Sequence, residues 1–244
     1  MTKVIIVGAK GRMGQALIRL AQPEAGYTLV RGIDVGDNIA TDLPATDAII
    51  EFSHHSVTVP LARQVAAQKK ALVIGTTGHS EADKATITEL AKSIPIVFAP
   101  NFSVGVNLLF FLTRKTAEIL GPEYDQEVVE MHHRLKLDAP SGTARRLGEI
   151  LAEVQDAPYD ELIRNGRVGE VGKRTKREIG MHALRGGDVV GDHTVHFATL
   201  GERVELTHRA SSRDTFASGA LRAAAWATKQ APGLYDMQDV LGLR

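Results

Sequence analysis

The chain contains no cysteine, which excludes disulfide bonds, thiolate metal sites and cysteine nucleophiles. It also has no excess of charge of one sign, because 29 Lys and Arg residues balance 29 Asp and Glu residues. No overall field therefore recruits nucleic acid or an anionic membrane. No apolar run approaches the roughly 20 residues that span a bilayer, and no leader with a cleavage site precedes the strand-like segment at residues 3–8. We expect a soluble, cytoplasmic protein without nucleic-acid or membrane partners.

The first hundred residues alternate two kinds of segment. Short apolar segments rich in β-branched residues predict strands that are buried on both faces of a sheet. These strands are expected at Val4–Val7, Thr28–Ile33, Ala48–Phe52, Leu72–Ile74 and Ile96–Phe98. Amphipathic segments between them predict helices at Met13–Ala21, Val57–Lys69 and Ser80–Ser93. This order predicts a doubly wound, Rossmann-like α/β domain with a parallel sheet.

The pattern changes after residue 103. Helices are expected at Val104–Leu120, Ser141–Val154 and Thr215–Lys229, and strands at Glu127–His132, Met181–Leu184, Thr194–Leu200 and Arg203–His208. The polar residues 157–180 are expected to form a long surface loop. Strands that follow one another without helices predict an α+β domain with an open mixed sheet. We therefore expect one domain at 1–103, completed by a C-terminal helix at 214–244, and a second domain at 104–213.

A glycine-rich loop, Gly8–Gly14, follows the first strand and opens the first helix. Such glycines allow a tight turn and let backbone N–H groups approach a pyrophosphate at the helix N-terminus. Asp34 ends the next strand, 20 residues beyond the last glycine, at the distance that suits the ribose hydroxyls of NAD. Asp34 should repel the 2′-phosphate of NADP, whereas Lys10 and Arg12 offer it charge. We expect NADH to be used and NADPH to be tolerated; a glycine-rich turn that binds nothing is the alternative.

Residues 130–143 (E-M-H-H-R-L-K-L-D-A-P-S-G-T) combine groups that hold an anion and move a proton. Ser141 is a plausible N-cap, and a helix start beside Lys136 suits a carboxylate. The segment predicts a small anionic substrate that is reduced by hydride while a nearby acid supplies a proton. Three alternatives remain, namely structural histidines, a solvated Lys136, and a metal site formed by Glu130, His132 and His133.

This segment resembles the signature of the dihydrodipicolinate reductase family, also called 4-hydroxy-tetrahydrodipicolinate reductases. Similar motifs recur along nearly the whole chain. They are V-I-G-T-T-G at Val73–Gly78, A-P-N-F-S-V-G-V-N at Ala99–Asn107, R-G-G-D-V-V-G-D-H-T at Arg185–Thr194 and H-R-A-S-S-R at His208–Arg213. Several motifs in the same order make the resemblance specific.

The resemblance implies roles for individual residues. His132 would be the proton donor and acceptor, and Lys136 a proton donor. The substrate would contact His133, Ser141, Gly142 and Thr143. The nucleotide would lie on Gly8, Ala9, Lys10, Gly11, Arg12, Met13, Asp34, Gly75, Thr76, Thr77, Ala99, Pro100, Asn101 and Phe102. Arg213 is a further candidate for a substrate carboxylate, with a surface arginine at a helix start as the alternative.

The resemblance also implies an activity and an assembly. The expected enzyme reduces 4-hydroxy-tetrahydrodipicolinate to tetrahydrodipicolinate with NAD(P)H in diaminopimelate and lysine biosynthesis. The first domain would bind the dinucleotide, and the second would bind substrate and form a homotetramer through its sheets. Val35 stands where some members have arginine, which weakens the case for NADPH. The alternatives are another two-domain dehydrogenase of a small carboxylic acid, which need not carry this segment, and a non-catalytic NAD(P) sensor, which would need the nucleotide loop only.

Overall fold

The short apolar segments of the first hundred residues form one parallel sheet. Its strands are β1 (Thr2–Val7), β2 (Tyr27–Ile33), β3 (Ala48–Glu51), β4 (Ala71–Ile74), β5 (Pro95–Phe98) and β11 (Gly233–Tyr235). The strand order is β11-β5-β4-β3-β1-β2, and every neighbouring pair is parallel. The chain winds in opposite directions from β1 and from β3. Ligands of such sheets bind at the carboxyl ends of the strands beside this switch point.

Helices cover both faces of this sheet, because its strands are apolar on both sides. They are α1 (Arg12–Leu20), α2 (His55–Ala67), α3 (Glu81–Ala91), α7 (Asp214–Ala227) and α8 (Met237–Leu241). One hydrophobic cluster includes α1, α7 and α8, and a second includes α2 and α3. Helix α7 packs closely, since a Cβ atom at Gly219 would lie 1.8 Å from the carbonyl oxygen of Phe102. The structure confirms the predicted Rossmann-like architecture.

A mixed sheet organises the residues between α4 (Val104–Leu120) and α7. Its elements are β6 (Asp125–His132), α5 (Gly142–Val154), α6 (Tyr159–Leu162), β7 (Ile163–Asn165), β8 (Ile179–Arg185), β9 (Gly191–Thr199) and β10 (Glu202–Ala210). The strand order is β10-β9-β6-β8-β7. β9 runs antiparallel to β6 and β10, whereas β8 runs parallel to β6 and β7. The predicted mixed sheet is confirmed.

The central strand β6 has one buried face and one more exposed face. Gln126, Val128, Glu130 and His132 are buried, and the residues between them are partly exposed. Val128 joins a hydrophobic cluster with residues of α4 and α5. Because side chains alternate along a strand, Glu127 lies on the opposite face from Glu130.

The chain divides into two units in the computed structural model, which describes residues 1–243. One unit contains Met1–Val104 and the segment from Arg213 onwards, and the other contains Gly105–Ser212. No helix within residues 1–243 is long and apolar enough to cross a membrane.

Two local predictions were wrong. Residues 157–180 are not a continuous loop, because Leu162 and Ile163 are buried in the core of the second unit and carry α6 and β7. The C-terminal segment is not one helix either. Pro232 has no N–H to donate, and after it the chain turns into β11 and then α8. The last residue of the expected helix, at position 244, lies outside the described residues.

Candidate active site

The loop between β1 and α1 requires glycine at two positions. Gly8 has a φ of +85°, and a Cβ atom there would lie 2.1 Å from the carbonyl oxygen of Phe52. A Cβ atom at Gly14 would lie 2.1 Å from the carbonyl oxygen of Gly8. The N-cap of α1 is Gly11, and no side chain caps the helix. The unpaired N–H groups of the first helical turn therefore form a site for an anion such as a pyrophosphate.

A cleft of about 490 Å³ opens beside this loop, at the carboxyl ends of the strands. Its lining comprises Gly11, Arg12, Met13, Phe52, Ser53, His54, His55, Gly75, Thr76 and Thr77. Gly75 leaves room for the Phe52 ring in the cleft wall, because a Cβ atom at Gly75 would lie 2.2 Å from that ring. The lining includes six of the residues predicted to bind a dinucleotide.

The other predicted cofactor residues lie outside the lining. Ala99 and Phe102 are buried, and the Phe102 ring packs edge-on against Phe52 with 5.6 Å between centroids. Phe102 therefore supports the cleft wall from behind. Pro100 is exposed, and the side chain of Asn101 accepts a hydrogen bond from the Ser103 N–H.

Asp34 joins the end of β2 to the glycine-rich loop. Its Oδ2 accepts a hydrogen bond from the Lys10 N–H at 2.8 Å, and its Oδ1 accepts one from the Val35 N–H at 2.9 Å. These backbone bonds, that from Lys10 above all, lower the pKa of Asp34 below its usual value. The carboxylate is thus charged at neutral pH and lies at the loop, as recognition of a ribose requires. Lys10 and Arg12 are both exposed.

In the second unit, the centre of the predicted substrate segment is the fully buried carboxylate of Glu130. Its Oε2 accepts a hydrogen bond from Nδ1 of His132 at 2.5 Å. Arg185, at the end of β8, donates to both carboxylate oxygens at 2.9 Å. Burial alone would raise the pKa of Glu130, but hydrogen bonds from His132, Arg185 and the Ser141 N–H hold it at about 2. Glu130 is therefore an anion at neutral pH and can only accept.

Ser141 begins α5 as the sequence predicts. Its Oγ accepts a hydrogen bond from the Ala144 N–H at 3.2 Å, the N-cap interaction. The same Oγ lies 3.1 Å from Nε2 of His193, a buried residue of β9. Burial, followed by the neighbouring His132, lowers the pKa of His193 to about 3. His193 is therefore neutral, and its ring lies 5.2 Å from that of His132 between centroids.

The remaining predicted substrate residues surround this centre. Lys136 is mostly buried, and its Nζ lies 2.9 Å from Oδ1 of Asp138. A Cβ atom at Gly142 would meet nothing within 4 Å, so the start of α5 faces open space there. Within the described residues, Nδ1 of His133 is buried without a hydrogen-bond partner. The structure thus brings Lys136 and the two histidines to one end of β6, next to the start of α5.

Three features of the site were missed or misjudged from the sequence. Arg185 and His193 were not predicted to belong to it, although both lie in one of the motifs that carry the resemblance. Glu130 was considered only as a metal ligand, whereas both of its oxygens bind the Arg185 guanidinium. Residues 1–243 contain no group of three His, Asp or Glu side chains placed to hold a metal ion. Arg213 precedes α7 in the first unit, as its N-cap residue.

Comparisons with known proteins give the family. The family model described as "Dihydrodipicolinate reductase, N-terminus" matches residues 2–102, and that described as "Dihydrodipicolinate reductase, C-terminus" matches residues 105–241. A 4-hydroxy-tetrahydrodipicolinate reductase of Akkermansia muciniphila is 55% identical over 243 residues, which cover 100% of this chain and 99% of the relative. One from Hahella chejuensis is 48% identical over 267 aligned residues and is covered completely, as is this chain. The chain belongs to the dihydrodipicolinate reductase family.

Solved structures share the fold at lower sequence identity. A dipicolinate-bound dihydrodipicolinate reductase from Paenisporosarcina sp. TG-14 has a TM-score of 0.80 and 23% identity, with 98% of each chain covered. A probable dehydrogenase from Thermotoga maritima has a TM-score of 0.60 and 11% identity, with 99% of this chain and 93% of that chain covered. These structures confirm the fold, and the family models with the full-length relatives confirm the predicted family. Membership of the dihydrodipicolinate reductase family indicates a nicotinamide cofactor.

Proposed function

We propose that this chain is an NAD(P)H-dependent oxidoreductase that converts 4-hydroxy-tetrahydrodipicolinate to tetrahydrodipicolinate in diaminopimelate and lysine biosynthesis. One observation carries the proposal from the structure. His132, held by a buried carboxylate, and Lys136 lie at the same end of β6 as an open helix start. This is an arrangement for holding an anion and protonating it. Full-length relatives named 4-hydroxy-tetrahydrodipicolinate reductase, up to 55% identical, support the choice of substrate.

The cofactor cleft is supported by the geometry of the first unit. The backbone at Gly8–Gly14 and the start of α1 fit a pyrophosphate, and Asp34 fits ribose hydroxyls. A bound reduced nicotinamide supplies hydride. We propose that NADH is preferred, because the charged Asp34 repels a 2′-phosphate, and that NADPH is also used, because Lys10 and Arg12 are exposed near the loop.

Substrate binding is assigned to the start of α5 and the residues before it. The N–H groups of Gly142 and Thr143, with the positive end of the helix dipole, suit a carboxylate. Lys136 adds a positive charge, and the unpartnered Nδ1 of His133 offers a further hydrogen bond. Arg213 is a candidate for a second carboxylate. Such contacts orient the ring for attack by hydride.

Proton transfer is assigned to His132 and Lys136. The net reaction replaces a ring hydroxyl by hydrogen, so it consumes one hydride and one proton and releases water. The proton is needed where negative charge builds as hydride is added, at the ring nitrogen. Nε2 of His132 and Nζ of Lys136 are the two groups of this segment that can carry it.

We propose a homotetramer that assembles through the exposed surface of β9 and β10 in the second unit's sheet. β10 is exposed over most of its length, and Val204 is among its exposed apolar residues. Light scattering of the purified protein tests this assembly, and a monomeric mass would contradict it.

The reductase activity is tested by following nicotinamide oxidation with substrate made freshly from pyruvate and aspartate semialdehyde by the preceding synthase. NADH and NADPH are run in parallel. We expect rapid substrate-dependent oxidation of both, with NADH the faster. Lys136→Ala should lower kcat by roughly 10²–10⁴-fold and leave NADH binding intact, because the lysine acts on substrate.

Two outcomes would contradict this proposal. Absence of oxidation despite NADH binding would point to a different small acid or to a nucleotide sensor. Full activity of Lys136→Ala would contradict the assignment of residues 130–143 to substrate binding and proton transfer. Asp34→Ala tests cofactor choice separately. It should lower or reverse the preference for NADH over NADPH, while the reductase rate with each cofactor remains measurable.

A further inference from the structure

We propose that Glu130 and Arg185 are a positioning pair for this reaction. Glu130 fixes the tautomer of His132, and Arg185 fixes Glu130 together with the loop that carries Lys136. The inference rests on the proposed function, because it assigns the pair to the proton-transfer step. Neither side chain is assigned a contact with substrate or cofactor.

The hydrogen bond between Glu130 and His132 determines which imidazole nitrogen carries hydrogen. Glu130 is a buried anion and offers only acceptors, so Nδ1 of His132 must donate across the 2.5 Å contact. A neutral His132 is then protonated at Nδ1, which leaves Nε2 as the atom that exchanges a proton with the substrate. A Cβ atom at Gly191 would lie 3.0 Å from Nε2, so the glycine there leaves the space beside this atom open.

Arg185 extends the arrangement to the neighbouring loop. Besides its two bonds to Glu130, its guanidinium donates to the carbonyl oxygen of Asp138 at 2.7 Å. Asp138 in turn pairs with Lys136. These three hydrogen bonds from one guanidinium link the carboxylate that holds His132 to the backbone beside the second proton donor. A lysine at this position has a single nitrogen and cannot reproduce the fork.

Glu130 also fixes the start of α5. Its Oε1 accepts the N–H of Ser141, the N-cap residue, at 3.1 Å. One carboxylate therefore contacts the proposed proton donor, the arginine that anchors the Lys136 loop, and the helix start proposed to bind a substrate carboxylate. An ion pair required only for stability would not need to contact all three.

The test compares Glu130→Gln with Glu127→Gln. Glu127 is a matched control, because it lies on the same strand and also binds an arginine and a histidine, but on the opposite face. For each protein, kcat and both KM values are measured, and ¹⁵N spectra of histidine-labelled enzyme report which nitrogen of the neutral imidazole is protonated. The His132 signals are assigned by their loss in His132→Asn.

We expect Glu130→Gln to lower kcat roughly 100-fold or more, with the KM for NADH unchanged, because a carboxamide can also donate and no longer enforces one tautomer. In the spectra, wild-type His132 should be protonated at Nδ1, and Glu130→Gln should lose this preference. Glu127→Gln should leave kcat and the His132 signals unchanged, while the signals of His182, its own partner, can shift without affecting the test. A wild-type kcat or an unchanged His132 tautomer in Glu130→Gln would overturn the inference.

Arg185→Lys provides the second variant if Glu130→Gln does not fold. It should keep the Nδ1-protonated tautomer, since Glu130 remains, but lose turnover and raise the substrate KM as the Lys136 loop loses its anchor. Wild-type kinetics in Arg185→Lys would overturn the role of the arginine. If wild-type enzyme has no reductase activity, the proposed function fails, whereas the ¹⁵N spectra still decide whether Glu130 fixes the tautomer.

Discussion

Strand β6 carries two similar clusters of charge on its two faces. On one face, Glu130 binds His132 and receives two hydrogen bonds from Arg185. On the other, Glu127 binds His182 at 2.8 Å and receives two from Arg167, at 2.9 and 2.7 Å. In both clusters, hydrogen bonds outweigh the effect of burial and lower the pKa of the glutamate to about 2.

The difference lies in what else each glutamate contacts. The Glu130 side chain is 0% exposed and also binds the helix start at Ser141, whereas the Glu127 side chain is 22% exposed and receives a further bond from Arg174. The Glu127 cluster therefore fastens the loop before β8 to the sheet, whereas the Glu130 cluster contacts residues that we propose to bind and protonate the substrate. On this proposal the same three residue types serve two purposes, and their burial and neighbouring contacts distinguish them.

The largest difference between the clusters should be the loss in the free energy of unfolding when each carboxylate is removed. Glu130→Ala leaves a guanidinium without its buried partner, and we expect a loss of about 3 kcal/mol or more in the free energy of unfolding. Glu127→Ala leaves cations that water and Glu178 still stabilise, and we expect about 1 kcal/mol. Urea unfolding at neutral pH measures both. Equal losses would show that burial does not distinguish the clusters.

His193, whose ring lies beside that of His132, and Glu127 should affect stability in different pH ranges. The folded state holds the pKa of His193 at about 3 against an ordinary 6.5, so between these values only the unfolded chain binds the proton. Stability is therefore lost as pH falls below 6.5. The pKa of Glu127 is lowered from 4.5 to about 2, so its contribution is lost only below pH 4.5.

Thermal unfolding measured from pH 7 to pH 3 checks this separation. His193→Gln should reduce the slope between pH 6.5 and 4.5, although His79 and His208, whose pKa values are also lowered, retain part of it. Glu127→Gln should alter the slope only below pH 4.5. A change in the upper window caused by Glu127→Gln alone would contradict the assignment.

The smallest difference between the clusters should be in how salt changes the stability cost of each glutamate substitution. Raising the ionic strength from 0.15 M to 1 M shortens the Debye length from about 8 Å to about 3 Å, which screens exposed charges more than buried ones. The cost of Glu127→Gln should therefore shrink in 1 M NaCl, and that of Glu130→Gln should not. Urea unfolding at the two salt concentrations measures both costs, and equal salt sensitivity would place the clusters in the same electrostatic environment.

Sequence patterns predicted the elements better than the contacts between them. Helix α4 has the predicted bounds, and the strand before residue 133 and the helix after Ser141 were found, because each has a strong local period or cap. β7 and β11 were missed since each has three residues, too few to show a period.

The Glu130–Arg185 contact joins positions 55 residues apart, and the contact of Ser141 with His193 joins positions 52 apart. Both depend on the register of β8 and β9 against β6, which no local pattern reveals. An arginine ending a strand beside a predicted catalytic segment is the signal that could have indicated Arg185. The roles of the predicted site residues in turnover stay predictions.

The alanine-rich helix α7 has a consequence for the order in which the protein is made. Its buried face fills the core of the first unit, yet it is encoded after the whole of the second unit. A ribosome adding about 5–20 residues per second needs roughly 5–20 s to synthesise Gly105–Ser212. During that interval the nascent parallel sheet lacks the covering helices α7 and α8 and its edge strand β11, whereas the second unit emerges as one continuous stretch. The first unit is therefore begun first and completed last.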